Sequence, residues 1–344
     1  MKSLLRTTLV GAAFAVGMTS AATAADIELK LAHFLPTANG MHKDFLEPWS
    51  RELEACSDGK VSIEIFPAGT QLANIAKLYD GVRSGVIDIA HGLHGIPAGR
   101  FPKTRIIDLP FLTESADAAS RAMWDLFPTY FADEYPGVKV LALHAHNGGL
   151  IHTAEKQVTT MDDLKGLRIR FPSPAIKAML EDLGAVPQGL PPGQVYENLQ
   201  KGVIDGTVFP WDPMQSFRLA EVVNYHLDAR AYTVSFWFAM NEDTYNELPD
   251  DVRACVDGLS GDNLIPRFGL WWDRWDSWGL KASLKQRSVL TELSDEERDR
   301  WRAALQPTID NWLANMESDG VANAREIYDA LRERIAHYES QSNW

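Results

Sequence analysis

Short runs of alternating apolar and polar residues recur along the chain, separated by stretches with a helical repeat. Ile27–His33 alternates as a strand, and Val61–Phe66 (VSIEIF) does so again. Between them, Met41–Ala55 places Phe45, Leu46, Trp49 and Leu53 on one helical side. Ile75–Arg83 reads as a helix ending before Gly85, and Val86–Ala90 as a short strand. Val138–His146 is a further strand, followed by Asn147-Gly148-Gly149. Leu167–Phe171 is a strand with charged alternate positions. Pro174–Leu183 and Gln194–Lys201 are helices stopped by Gly184 and Gly202, and Val203–Val208 and Val234–Met240 are strands. From Asn263 the pattern is helical almost to the end. This βα rhythm predicts α/β packing with mostly parallel sheets. No internal repeat suggests a solenoid.

The first 25 residues read differently. Lys2 and Arg6 precede an apolar run, Leu9–Met18, and small residues follow up to an A-x-A end at Ala22-x-Ala24. That is the layout of a cleaved secretory leader. The apolar run is too short for a bilayer span, which takes about 20 residues. The Ala-rich segment points to a bacterial periplasm. The full chain has 33 Lys+Arg against 47 Asp+Glu, a formal net charge of −14, with 45% hydrophobic and 23% charged residues. This balance is that of a soluble globular protein and excludes a disordered one. An acidic surface also argues against nucleic acid as a partner. At roughly 100–200 residues per domain, two lobes are expected. An oxidising compartment permits a disulfide between Cys56 and Cys255, but two free thiols fit the sequence equally, because geometry decides.

Catalytic signatures are sparse. G-x-S-x-G, G-x-G-x-x-G, Walker A and H-E-x-x-H are all absent from the sequence. His91 and His94 follow one strand, and His144 and His146 share a face of another. Such a pair could grip a metal, but no third ligand stands at a recognisable spacing, so neither metal nor cofactor is expected. Arg170 is the more informative residue. It ends an apolar-alternating strand, just before Pro172-Ser173-Pro174. Ligands of open α/β sheets bind beyond the carboxyl ends of strands, where an arginine meets a carboxylate in two parallel hydrogen bonds.

The strings around Arg170 are Lys165-Gly166-Leu167-Arg168-Ile169-Arg170, Leu183-Gly184-Ala185-Val186-Pro187, and Val195-Tyr196 through Asp205-Gly206. Together with Leu29–His33, Gly81–Asp88, Asp108–Phe111 and Met240–Pro249, they resemble the periplasmic solute-binding proteins of TRAP transporters, the DctP family. The resemblance implies a two-lobed periplasmic binding protein fold with a hinge and a long C-terminal helix spanning both lobes. Residues 26–148 would open lobe I, 149–233 open lobe II, 234–273 return to lobe I and 274–344 complete lobe II. It further implies a monomer that closes on an organic acid and delivers it to a small and a large membrane subunit, with Arg170 gripping the carboxylate. Family positions that are polar in some members are here Phe34, Leu150, Phe209 and a Leu93 beside His94. Polyhydroxylated or dicarboxylic ligands would leave unpaired groups in such a pocket, whereas a monocarboxylate with an apolar or aromatic body would not. The expected ligand-contacting set is Arg170, Phe34, Trp211, Phe209, Leu150, His94, Trp237, His33, Asn147 and Asp212. One alternative is a betaine- or sulfonium-type zwitterion, caged by aromatics around Trp211 and balanced by Asp212. Another is a periplasmic enzyme working through His91, His144 or His146.

Overall fold

The computed structural model describes residues 25–341, so the leader expected over 1–25 lies almost wholly outside the described residues. Its elements run β1 (Ile27–His33), α1 (Glu47–Cys56), β2 (Val61–Phe66), α2 (Leu78–Arg83), β3 (Ile89–Leu93), α3 (Ala116–Leu126) and β4 (Val138–Ala145). Next come β5 (Leu150–Thr153), β6 (Arg168–Phe171), α4 (Pro174–Asp182), β7 (Val186–Gly189), α5 (Val195–Gln200), β8 (Gly206–Phe209), α6 (Asp212–Ser216) and β9 (Tyr225–Asp228). The chain finishes with β10 (Ser235–Asn241), α7 (Glu242–Glu247), α8 (Asp250–Gly258), α9 (Arg267–Lys285), β11 (Val289–Glu292), α10 (Asp295–Ser318) and α11 (Ala324–Gln341).

Two sheets form, with strand orders β2-β1-β3-β10-β4 and β11-β9-β5-β8-β6-β7. Each belongs to one lobe. Both sheets are mostly parallel, as expected, with one strand in each running against the rest. β10 runs antiparallel to β3 and β4, and β5 runs antiparallel to β8 and β9. The reason is the crossing of the chain between lobes. A strand that arrives from the other lobe enters the sheet at the edge where its neighbours finish, so it must run backwards. Ser235 therefore pairs with Ala145 at the end of β4, and Leu150 pairs with Phe209 at the end of β8. As a result, the carboxyl ends of β1, β3, β4, β6 and β8 all point at the space between the lobes.

The two crossings lie side by side. Gly149 N–H donates to the Tyr232 carbonyl (2.7 Å) and His146 N–H to that of Val234 (3.3 Å). Gly149 is required there, since a Cβ on it would lie 2.1 Å from Tyr232 Cζ. The long helix α9 bridges the lobes, packing on α3 of one and α6 of the other. Gly279 allows its close approach, because a Cβ there would meet the Trp211 carbonyl oxygen at 1.8 Å. The segment 274–344 does not simply complete lobe II. α10 packs on α4, but α11 lays Ile327, Leu331 and Ile335 against α3 in lobe I. The small buried side chains of α3 (Ala116, Ala118, Ala119, Ala122) make room for it.

Cys56 and Cys255 are joined by a disulfide that ties the end of α1 to α8 within lobe I, closing a separation of 199 residues. Among the described residues no helix is long and apolar enough to cross a membrane.

Candidate ligand-binding site

A cavity opens between the lobes where the strand ends converge, with about 530 Å³ of atom-free space including its mouth. Lobe I contributes Phe34 and Leu35 after β1, Leu93 at the end of β3, Phe236 on β10 and Trp272 on α9. Lobe II contributes Arg170 from β6, Val208 and Phe209 from β8, and Asp212 at the start of α6. His146 and Tyr232 enter from the two crossings. Contacts between lobes hold the walls together. Asn39 Nδ2 donates to Asp212 Oδ2 (2.6 Å) and Ser216 Oγ (3.0 Å). Gly95 lies against Pro172 and Ser173, close enough that a Cβ on it would be 2.7 Å from the Pro172 carbonyl oxygen.

Arg170 is 0% exposed. Its strand holds it in place, because Ile169 faces the core while Arg170 pairs with Gln188 and Thr207 on the neighbouring strands. Nε–H donates to the Leu190 carbonyl (2.9 Å), Nη1–H reaches the Val208 carbonyl at 3.5 Å, and the guanidinium carbon sits 4.4 Å from the centre of the Phe209 ring. Nη2 has no partner. Burial pulls the group's pKa down to about 9, which still leaves it charged at neutral pH. Tyr232 Oη, also on the cavity, likewise has no hydrogen-bond partner among the described residues. Burial pushes this phenol well above its usual range, opposed by the Arg170 charge, so it remains an O–H donor. A cation and a hydroxyl, both dry and both lacking acceptors, create a demand for an anion.

Most of the remaining wall is apolar or aromatic. Asp212 and Asn39 are polar, but they bond each other, and the Asp212 carboxylate also accepts from Ser216 Oγ (2.8 Å). Burial raises its pKa to about 6, against the pull of those hydrogen bonds.

Of the ten residues expected from sequence, Arg170, Phe34, Phe209 and Asp212 line this cavity. The other six do not. Strand alternation takes Leu93 into the cavity and His94 behind it, where His94 bonds Ser235 Oγ (2.9 Å) and Tyr135 Oη (2.7 Å). It likewise brings in Phe236 and sends Trp237 to the opposite face, onto Tyr79 and the Leu93 carbonyl. His33 turns away to His42 (3.0 Å). Asn147 is occupied in tying α3 to α9, accepting from Ala116 N–H and donating to Asp273 and Asp276. Leu150 and Trp211 belong to a separate small core of lobe II, with Trp211 against His152 and His226. An aromatic cage built on Trp211 therefore has no support.

Tyr232, Trp272, His146 and Asn39 reach the cavity unannounced. His146 reads in the sequence as half of a metal pair. The signal for Tyr232 was the Gly148-Gly149 pair, which marks a place where another chain segment comes close. The metal reading fails on geometry as well. His91 and His144 bond each other (2.9 Å) in a sealed stack with Phe236 and Phe268. Among the described residues no group of three or more His, Cys, Asp or Glu could hold a metal ion.

Comparison with known proteins agrees with this geometry. The family model for bacterial extracellular solute-binding protein, family 7 (DctP) matches residues 31–315. A TRAP solute-binding protein from a marine metagenome, specific for aromatic acid ligands and solved with 3-hydroxybenzoate, superposes with a TM-score of 0.88. It is 33% identical over 91% of this chain and 99% of its own. A Rhodoferax ferrireducens TRAP protein with copurified benzoate gives 0.87 at 32% identity, covering 91% and 98%. One from Bordetella bronchiseptica with bound (R)- and (S)-mandelate gives 0.82 at 29%, covering 90% and 99%. Family and fold are those of a binding protein and not of an enzyme: the chain belongs to bacterial extracellular solute-binding protein family 7, the DctP family of periplasmic TRAP transporter components.

Proposed function

We propose that the protein captures an aromatic monocarboxylate between its lobes and hands it to the small and large membrane subunits of a TRAP transporter. The observation that carries this reading is the buried Arg170 with Nη2 unpaired, set in a wall of Phe34, Leu93, Phe209, Phe236 and Trp272. The ligand carboxylate meets Arg170 Nη2 and Tyr232 Oη. Charge-assisted hydrogen bonds of this kind contribute about 1.5–3 kcal/mol each. The ring fills the apolar remainder, where burying about 150 Å² of apolar surface gives about 4 kcal/mol. A second carboxylate or a set of sugar hydroxyls would find few partners there, which disfavours dicarboxylates and sugar acids. The relatives solved with 3-hydroxybenzoate, benzoate and mandelate support the same ligand class.

The cycle starts with separated lobes in the exported, leader-free monomer. The ligand docks on Arg170, and closure brings Asn39 onto Asp212 and Gly95 onto Pro172. Ligand favours closure only as far as it binds the closed form better. Calorimetric titration with benzoate, succinate and glucuronate tests the reading. Benzoate should bind at micromolar or lower concentration and the other two at least about a hundredfold more weakly, a difference of about 2.7 kcal/mol. Equal or tighter binding of succinate would overturn it.

A further inference from the structure

His146 stands on the cavity wall beside Tyr232 and Trp272, at ring-centre distances of 5.6 and 5.7 Å. It is 2% exposed. Its Nδ1 lies against the Asn147 carbonyl oxygen, and a carbonyl only accepts, so the ring proton sits on Nδ1. Nε2 is then a bare lone pair. It has no hydrogen-bond partner among the described residues. Unlike His91 Nδ1 and His226 Nε2, it is not walled off by protein atoms either, so what it faces is the cavity. Burial keeps the ring's pKa down to about 4, which leaves that lone pair free at neutral pH.

The neighbouring polar groups do not satisfy it. Arg170 Nη2 and Tyr232 Oη suit the carboxylate of the guest. Trp272 Nε1 points to His144 Nδ1 (3.4 Å), and Asp212 is engaged by Asn39 and Ser216. A guest with a carboxylate and a plain hydrocarbon ring would dry this acceptor and give it nothing, which costs affinity. A second anion would be repelled by the lone pair. A neutral donor is what fits.

We infer that the preferred guest is a hydroxylated aromatic monocarboxylate, whose hydroxyl donates to His146 Nε2 while its carboxylate is held at Arg170. The inference rests on the aromatic-carboxylate reading given above. The hydroxyl sits either on the ring or on the carbon beside the carboxylate, since both present the same O–H donor.

Calorimetry on the intact mature chain separates these possibilities. The probes are benzoate, 3- and 4-hydroxybenzoate, the corresponding methoxybenzoates, phenylacetate and mandelate. A hydroxylated acid should bind at least about tenfold tighter than its parent acid, and the methoxy ether, which has no proton to donate, should lose that gain. A gain confined to hydroxybenzoates places the hydroxyl on the ring, and one confined to mandelate places it beside the carboxylate. His146→Phe should erase the preference of the hydroxylated acid over its parent, and His146→Gln, which restores an acceptor, should recover part of it. Benzoate binding with no hydroxyl preference in the unmodified protein overturns this inference alone, whether or not the variants fold. A preference that survives in His146→Phe also overturns it. If no aromatic acid binds, the underlying reading falls and takes this inference with it.

Discussion

Replacing Arg170 with methionine should abolish ligand capture and at the same time make the empty protein more stable. The side chain is wholly buried, and burial moves its pKa from 12.5 to about 9. A shift of that size corresponds to about 5 kcal/mol against the charged form. Part of this is offset by the hydrogen bond to Leu190 and the stacking on Phe209, each about 1 kcal/mol. Methionine has a similar reach without the charge, although it leaves the Leu190 carbonyl without its donor, at a cost of about 1–3 kcal/mol. The expected net is a gain of up to about 2 kcal/mol in the ligand-free state, in the direction seen when buried charges give way to apolar residues. Binding moves the other way. A ligand carboxylate buried without its partner loses about 2–5 kcal/mol, or about 30- to 5,000-fold in affinity. Urea unfolding of the empty proteins and calorimetry with benzoate measure the two sides. A variant destabilised by several kcal/mol without ligand would show that Arg170 holds lobe II together, and unchanged benzoate affinity would remove it from the site. Either result refutes the reasoning.

Reduction of Cys56–Cys255, or a double change to serine, should cost about 2–5 kcal/mol, because the bridge closes a loop of 199 residues; denaturation with and without reductant checks this. Stability should fall between pH 7 and pH 5. Burial holds His33 and His94 down to about 3 and His146 to about 4, so the unfolded chain takes up protons below pH 6.5 that the native state refuses, a loss of about 2 kcal/mol per histidine at pH 5. Asp108, Asp212 and Asp276, raised by burial to about 6, 6 and 7, act in the opposite sense. They are outweighed because His91, His144, His152 and His226 are lowered as well; unfolding curves that stay flat or strengthen toward pH 5 would contradict this balance. Tyr232→Phe should weaken benzoate binding by about tenfold or more through the lost O–H donor, measured by calorimetry. Gly149→Ala should weaken it too, because the new methyl group falls inside the Tyr232 ring and must displace it.

The fold was largely legible because several of its strands are long enough to show a period. β1, β2, β4 and β10 each carry an apolar alternation or an unbroken buried run. β5, β7, β9 and β11 are four residues each, too short for a period to stand out, whereas β6 and β8, equally short, show through the Arg168/Arg170 alternation and the apolar run ending at Val208. Helix α3 carries no such signal either, because it packs through alanines rather than a stripe of large apolar residues. β3 starts later than expected, at Ile89 rather than Val86, since Val86 is on an exposed turn. In the cavity the cationic Arg170 and the apolar wall could be read from sequence, but not which neighbour of a pair faces inward. His94 against Leu93 and Trp237 against Phe236 were decided by one residue of strand register. Tyr232 and His146 belong to crossings whose positions depend on both lobes, and no local pattern encodes that.

The most direct test is a crystal structure of the mature protein with benzoate. The carboxylate should lie within hydrogen-bonding distance of Arg170 Nη2 and Tyr232 Oη, with the ring against Phe209, Phe236 and Trp272. A carboxylate bound away from Arg170, or a ligand seated outside this cavity, would contradict the account.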